Sequence, residues 1–306
     1  MNKLLIDGRW VDALDGETID VIDPCSGEAF TRIARGRAAD VDLAVAAARR
    51  AVEGAWGSMT ATERGRILQR LGQLILDHGE ELADLEARDT GKPMSVARAD
   101  AGAVARYFEF YGGAADKVHG QTIPYLSGYN VSVVRIPHGV TAHIIPWNYP
   151  AQMMGRTLAP ALAMGNAAVV KPSEDACLTV LKLGELALQA GLPPGALNIV
   201  TGYGAEAGAA LTAHPGINFA TFTGSPEVGI RSSKPPRATM CPACWNWAEN
   251  RRKSYSTTRT WRRPRPSSSG PSSRTRARPA PPAAACWCNR AFMTASSISS
   301  RPATPS

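Results

Sequence analysis

VTAHIIPWNYPAQMMGRTLAPALAMGNAAVVKPSE, residues 140–174, is the stretch whose reading decides the fold. It opens with a short apolar run (140–145), turns at a Pro/Asn-rich segment, and takes a helical period over 151–163. A Gly165-Asn166 turn follows, then a second apolar run (167–171) that ends in Lys171. Strand, helix and strand with short connections make the pattern of a parallel βαβ unit. The rhythm continues as a helix over 178–190, a strand over 197–201, a helix near 205–213, a strand over 219–222 and a helix starting at Pro226. The expectation is an α/β protein with a parallel, doubly wound (Rossmann-like) sheet. Such sheets bind ligands at the carboxyl ends of their strands, where the polar and glycine motifs of this chain fall.

Upstream, the sequence predicts an edge strand over 2–10 and a turn at Asp23-Pro24 with Ser26-Gly27. An Ala-rich helix is expected over 40–52. Thr60-Ala-Thr-Glu63 fits a capping box, in which the hydroxyl accepts from the N3 amide and the Glu reaches back. Ile67, Leu68, Leu71, Leu74 and Ile75 then form one face of a long helix. Gly91-Lys-Pro93 stops the helical run after that box, another helix covers 96–115, and 127–135 alternates like an extended hairpin arm.

Three motifs sit at strand ends: Ile145-Pro-Trp-Asn-Tyr-Pro150, Lys171-Pro-Ser-Glu174 and Phe222-Thr-Gly-Ser-Pro-Glu-Val-Gly229. Over 224–229 a glycine turn opens a helix, so free amides and the helix dipole face any bound anion. It is not the GxGxxG fingerprint, and a lone GxxxxG is weakly specific. Lys171 can meet a phosphate or a ribose, or be a solvated strand-end lysine. Glu174 can accept from ribose hydroxyls, or serve as a first-turn helix carboxylate. Asn148 can donate its amide to a developing oxyanion, or be an ordinary turn asparagine.

Composition divides the chain near Arg231/Ser232. Residues 232–306 are Ser/Pro/Arg/Ala-rich without an apolar period and hold fourteen Lys/Arg against one acid, Glu249. Their net +13 leaves −5 for residues 1–231 out of the overall +8. Residues 1–7 carry too short an apolar run for a signal peptide, and no run of about 20 apolar residues exists to span a membrane. Two cysteines in the first 231 residues, Cys25 and Cys177, suit a reducing cytoplasm. Cys241-Pro-Ala-Cys244 and Cys286-Trp-Cys288 loosely resemble a four-thiolate zinc set. Their long separation and the lack of a knuckle pattern between them argue against a metal site.

Taken together and in this order, the motifs resemble the NAD(P)-dependent aldehyde dehydrogenase superfamily. Supporting pieces are Asp23-Pro24, Asp89-Thr-Gly-Lys-Pro93, Arg135-Ile-Pro-His-Gly139, Leu158-Ala-Pro-Ala161, Gly165-Asn166 and Gly202-Tyr-Gly204. The resemblance covers residues 1–231, roughly the first half of a family member. It implies an NAD-binding domain, with residues 122–135 forming part of a bridging hairpin used in homo-oligomers (dimers or tetramers). By matching positions, Ile144, Ile145, Pro146, Trp147, Lys171, Ser173, Glu174, Gly204, Gly208, Phe222, Gly224, Ser225 and Val228 would line the dinucleotide site. Asn148 would be the side-chain donor of the oxyanion hole. A carboxylate at Glu174 would repel a 2′-phosphate, which favours NAD over NADP. The family reaction oxidises an aldehyde to a carboxylic acid through a cysteine thiohemiacetal, with a glutamate activating water. The family's "LELGGK" and "GQTCSAGSR" segments, which carry those two residues, are absent here, so a complete catalytic domain is not expected.

The genetic code tests why. Read one base early, Cys244 into Trp245 forces Leu, Trp245 into Asn246 forces Glu, Asn246 into Trp247 forces Leu, and Trp247 into Ala248 forces Gly. Ala248 into Glu249 permits Gly, and Glu249 into Asn250 permits Lys. The shifted text is Leu-Glu-Leu-Gly-Gly-Lys. Residues 273–284 likewise permit Gln-Asn-Ala-Gly-Gln-Thr-Cys-Ser-Ala-Gly-Ser, the nucleophile's codon straddling Pro279 and Ala280. The expectation is a one-base frameshift near codon 231, an out-of-frame, basic and disordered tail over 232–306 ending at an early stop, and no catalytic turnover. A reading from another class is a nucleotide-binding protein whose basic tail holds nucleic acid by salt-sensitive phosphate contacts. The tail lacks the regular aromatic interleaving such binding uses.

Overall fold

The computed structural model describes residues 3–224 together with short strands at 243–247, 293–296 and 301–302. The chain begins with two short strands, β1 (Leu4–Ile6) and β2 (Arg9–Val11), joined at Asp7-Gly8. Both turn residues have positive φ (53° and 73°), the conformation of a two-residue hairpin turn. The single edge strand expected over 2–10 is therefore a hairpin, and Asp7-Gly8 is the signal that marks it. A second hairpin, β3 (Thr18–Ile22) and β4 (Ala29–Ala34), turns at the expected Asp23–Gly27 segment, where Gly27 N donates to Asp23 O.

A helical layer follows: α1 (Ala38–Glu53), α2 (Ala55–Ser58), α3 (Ala61–Asp77), α4 (Gly79–Thr90) and α5 (Met94–Ala114). The capping box at the start of α3 is formed, Thr60 accepting from the Glu63 amide while Glu63 accepts from the Thr60 amide at 2.8 Å. The stripe Ile67, Leu68, Leu71 and Ile75 is buried, and Leu74 is partly so. α4 ends at Gly91 in the left-handed conformation (φ 70°), as its place before Lys92-Pro93 requires. The hairpin arm is β5 (Gln121–Ile123) antiparallel to β6 (Tyr129–Pro137).

The alternating half then runs β7 (Val140–Ile145), α6 (Pro150–Ala163), β8 (Ala167–Pro172), α7 (Leu178–Gln189), β9 (Leu197–Ile199), α8 (Ala209–Ala213) and β10 (Phe219–Gly224). The helix expected near 205–213 is α8 preceded by one π-helical turn over Gly204–Gly208. The helix expected at Pro226 lies outside the described residues. β7, β8 and β10 are buried nearly throughout, as strands covered on both faces must be.

β11 (Ala243–Trp247) joins as a parallel neighbour of β10, giving the order β11-β10-β7-β8-β9-β1-β2. β1 is antiparallel to β9, so the sheet is a parallel core extended by an antiparallel hairpin: mixed, rather than parallel throughout. β12 (Met293–Ser296) and β13 (Arg301–Pro302) pair antiparallel with β6. The sequence shows no strand pattern beyond residue 232, yet these three stretches are paired. Free strand edges accept extended backbone largely irrespective of side chain, because the bonding groups are those of the main chain. For the rest of 232–306, the expectation of a tail without compact structure falls outside the described residues.

Leu71 is 1% exposed on the stripe that packs against α5, whereas Leu76 on the opposite side of α3 is 53% exposed. Leu71→Ala should lower the unfolding free energy by about 2–5 kcal/mol, the range for a buried Leu→Ala change. Leu76→Ala should stay within about 0.5 kcal/mol. Urea denaturation followed by circular dichroism checks both.

Candidate functional site

The register of the parallel core aligns its carboxyl ends. Ile144 of β7 is paired with Lys171 of β8 on one side and with Phe222 of β10 on the other. Paired residues of neighbouring strands share a face, so an apolar, a charged and an aromatic side chain finish in one row. Lys171 is 3% exposed, and its ammonium lies 2.7 Å from Glu174 Oε2, one turn into the following loop. The other carboxylate oxygen of Glu174 accepts from the Gly204 amide at 3.4 Å, which brings the end of β9 into the group. Gly208 completes it from the π turn: a Cβ there would stand 3.8 Å from Lys171 Cδ. Burial alone would raise the Glu174 carboxyl, but the Lys171 charge and hydrogen bond prevail and hold it below the usual range. Glu174 is therefore ionised at neutral pH.

Gly224 ends β10 where a Cβ would lie 2.6 Å from the Phe222 ring, so glycine is what permits this close approach. Ile145 is buried within β7, and Pro146 turns the chain out of the sheet. Trp147 is half exposed. Ser173 receives the Asp175 amide at 3.4 Å, a local turn that involves neither Lys171 nor Glu174. Ser225 and Val228 lie outside the described residues.

Asn148 sits between β7 and α6. Its side-chain oxygen accepts from the Tyr149 amide at 3.1 Å, so its Nδ2 is the group left to donate. Sequence reasoning missed the support beneath this loop. Lys92 Nζ lies 4.5 Å from the Tyr149 ring centre and 2.7 Å from both Glu86 Oε1 and Asp100 Oδ2. Gln152 of α6 donates to the second oxygen of Asp100 at 2.6 Å. The Asp89-Thr-Gly-Lys-Pro93 motif contained the signal, a lysine in a turn flanked by acids at helical spacing.

A second buried acid steadies the Glu174 loop. Asp89, 2% exposed, accepts the Leu178 amide at 2.9 Å and so satisfies the first turn of α7 from outside the helix. Burial pushes its carboxyl up to about 7. Cys177 is fully buried, and that burial, with Asp89 nearby, raises its thiol well above the ordinary value. It is thus a poor source of thiolate. Among the described residues, no group of three or more His, Cys, Asp or Glu is placed to hold a metal ion, and no helix is long and apolar enough to cross a membrane. The tail's cysteine set lies outside the residues whose side chains are described.

A family model described as "Aldehyde dehydrogenase family" matches residues 10–243. The chain belongs to the aldehyde dehydrogenase family. It is 48% identical over 228 residues to a hydroxyisobutyraldehyde dehydrogenase of Mycolicibacterium austroafricanum, covering 74% of this chain and 45% of that protein. Among solved structures it resembles a putative aldehyde dehydrogenase from Burkholderia cenocepacia (TM-score 0.79, 58% identity, 80% of this chain and 52% of that one). It also resembles betaine aldehyde dehydrogenase from Staphylococcus aureus, solved in complex with NAD+ (TM-score 0.79, 34% identity, 80% and 50%). The chain spans about half the length of these aldehyde dehydrogenases.

The raised Asp89 carboxyl makes a pH prediction. Its folded pKa lies above the unfolded value, so the folded state binds more protons between about pH 4 and 7, and stability falls as pH rises through that window. The stability of the unaltered chain relative to Asp89→Asn should therefore decrease from pH 4 to 7 and level off above it. Urea midpoints of the two chains across that range check the sign.

Proposed function

We propose that residues 1–231 are the dinucleotide-binding portion of an aldehyde-oxidising enzyme, and that residues 232–306 carry its second half in the wrong frame. The observation that carries the cofactor reading is the cluster of Lys171, Glu174 and Gly204 beyond the ends of β8 and β9. An ammonium and a carboxylate 2.7 Å apart offer a donor and an acceptor to the vicinal hydroxyls of a ribose, and the donor set fits a dinucleotide. Lys171, Glu174 and the Gly204–Gly208 turn would hold the adenosine half. Trp147, Phe222 and Gly224 would border the remainder, joined by Ile144, Ile145, Pro146, Ser173, Ser225 and Val228. Bound there, NAD supplies the acceptor for the aldehyde's hydride. Because Glu174 is ionised, a 2′-phosphate beside it would be repelled, which favours NAD over NADP.

Asn148 would use its free Nδ2 to donate to the aldehyde oxygen as negative charge gathers on it. The Lys92 bundle holds the loop from which it does so. Neither described cysteine suits nucleophilic attack: Cys177 is buried with a raised thiol pKa, and Cys25 lies in the β3–β4 turn. The nucleophile and base are legible one base away, in the codons of 243–250 and 273–284. The aldehyde as substrate, homo-oligomers built through residues 122–135 and a cytoplasmic setting belong to the same reading.

Restoring one base near codon 231 should yield a chain that reduces NAD in the presence of an aldehyde, whereas the 306-residue chain should show no turnover. In the restored chain Asn148→Ala should lower kcat about 10²-fold or more, the scale for one oxyanion donor. Absorbance at the reduced-nicotinamide band reads both. Aldehyde oxidation by the unrestored chain, purified free of host dehydrogenases, would overturn the frame reading.

A further inference from the structure

The π turn over Gly204–Gly208 faces the cofactor cluster on one side and an ion-pair network on the other. That network begins where residues 34–37, leaving β4, run against residues 200–202 backbone to backbone. Gly36 N donates to Thr201 O at 2.8 Å, and the Thr201 hydroxyl donates to Ala34 O at 2.6 Å. A Cβ on Gly36 would lie 2.6 Å from Thr201 O, so the two segments touch as closely as main chains can. From this contact Arg35 passes over the Tyr203 ring (5.0 Å) and grips the Glu206 carboxylate with two nitrogens: Nη2 to Oε1 at 2.6 Å and Nε to Oε2 at 3.0 Å. Its third nitrogen bonds Glu17 at 2.6 Å, and Glu17 also accepts from Arg37 at 2.8 Å.

The turn is closed unevenly. Glu206 N donates to Tyr203 O at 3.1 Å and Ala209 N reaches Gly204 O, but the i→i+5 bond from Gly208 N to Tyr203 O measures 3.4 Å, and the bond from Gly204 N to Glu174 is also 3.4 Å. These two long bonds, on the side facing Lys171 and Glu174, are beyond the usual range for N–H···O bonds. The shortest side-chain contacts on the turn are those of the Arg35 fork, at 2.6 and 3.0 Å. Planar two-point pairing fixes direction as well as distance.

We propose that the Arg35–Glu206 fork is the positioning device for the adenosine-binding turn, setting where Gly204 and Gly208 stand relative to Lys171 and Glu174. The inference rests on the cofactor reading above. Arg35 and Glu206 touch no cofactor atom in this scheme; they act through the turn. Because the fork is about one-third exposed (27% and 32%), added salt weakens it and the turn loosens. Affinity for the adenosine half then depends on ionic strength even when the ligand carries no charge.

The test uses the full chain and two probes, uncharged adenosine and NAD, by titration calorimetry from low to high KCl. Adenosine affinity of the unaltered chain should fall with KCl. Glu206→Gln should bind adenosine about three- to ten-fold more weakly at low salt, the range open to a partly exposed charge pair in a network, and should lose the KCl dependence. Arg35→Lys, which keeps the charge but not the fork, should lie between. Adenosine binding by the unaltered chain that ignores KCl overturns the proposal without recourse to any variant. Weaker binding by Glu206→Gln with an unchanged KCl dependence also overturns it, because a merely structural loss would act that way. If the unaltered chain binds neither probe, the cofactor reading itself fails and the inference with it. Equal binding by all three chains removes the fork alone.

Discussion

The parallel register of β7, β8 and β10 is the constraint on which the site depends. Ile144 pairs with Lys171 and Phe222 at once, so the three strands release their loops at one level. A slip of one residue in β8 would turn Lys171 to the opposite face, because side chains alternate along a strand. The run 167–170 is fully buried, so such a slip gains no solvent exposure for any apolar residue to trade against. What fixes the register is the connection geometry: Ala167 N bonds Gly139 O, Ala168 N bonds Ala196 O, and Asn218 holds the start of β7 through the Val140 amide. The Lys171–Glu174 cluster is positioned by contacts at the other end of the strands.

Buried charge accompanies that order and is closely paired. Lys92 is shared by Glu86 and Asp100, both nearly solvent-free, and its ammonium also meets the face of Tyr149. Such a bundle adds little net stability, since desolvating three charges offsets most of their attraction. Its effect is directional: α4, α5 and the loop before α6 meet at one ammonium, and the loop carrying Asn148 inherits that position. His143, fully buried between Thr141 and Thr221, is handled differently. Burial lowers it to about 3, so it stays neutral and its two hydroxyl contacts need no counter-charge.

Local sequence rules read local structure well here. The Thr60–Glu63 box, the Gly91 stop and the βαβ rhythm are each decided within a few residues, and all are present in the structure. The Asp7-Gly8 turn is equally local, but the alternation of 2–10 as one strand masks it. The π turn is not legible: Gly204–Gly208 has the composition of an ordinary helix start, and its partner Arg35 lies 171 residues earlier. For the site, Lys171 and Glu174 are near enough in sequence to suggest a pair. The Arg35–Glu206 fork joins two separate motifs and required the fold to show it.

The pairing of β11 with β10 separates what a sheet needs from what a reaction needs. Residues 243–247 read Ala-Cys-Trp-Asn-Trp, and on the proposed frame change the bases from Cys244 to Glu249 spell Leu-Glu-Leu-Gly-Gly across this position. A parallel strand is held by main-chain groups that every residue except proline possesses, and this five-residue text contains no proline. Aromatic residues are also at home in strands. A frame change can therefore leave the next strand's backbone pairing intact while replacing each side chain it would have presented. On that proposal the carboxylate of the shifted text gives way to a text with an asparagine and two tryptophans. On the proposed frame change, the pairing of β11 with β10 is for that reason no sign of chemical continuity: a sheet edge accepts many texts, whereas proton transfer depends on one carboxylate at one position.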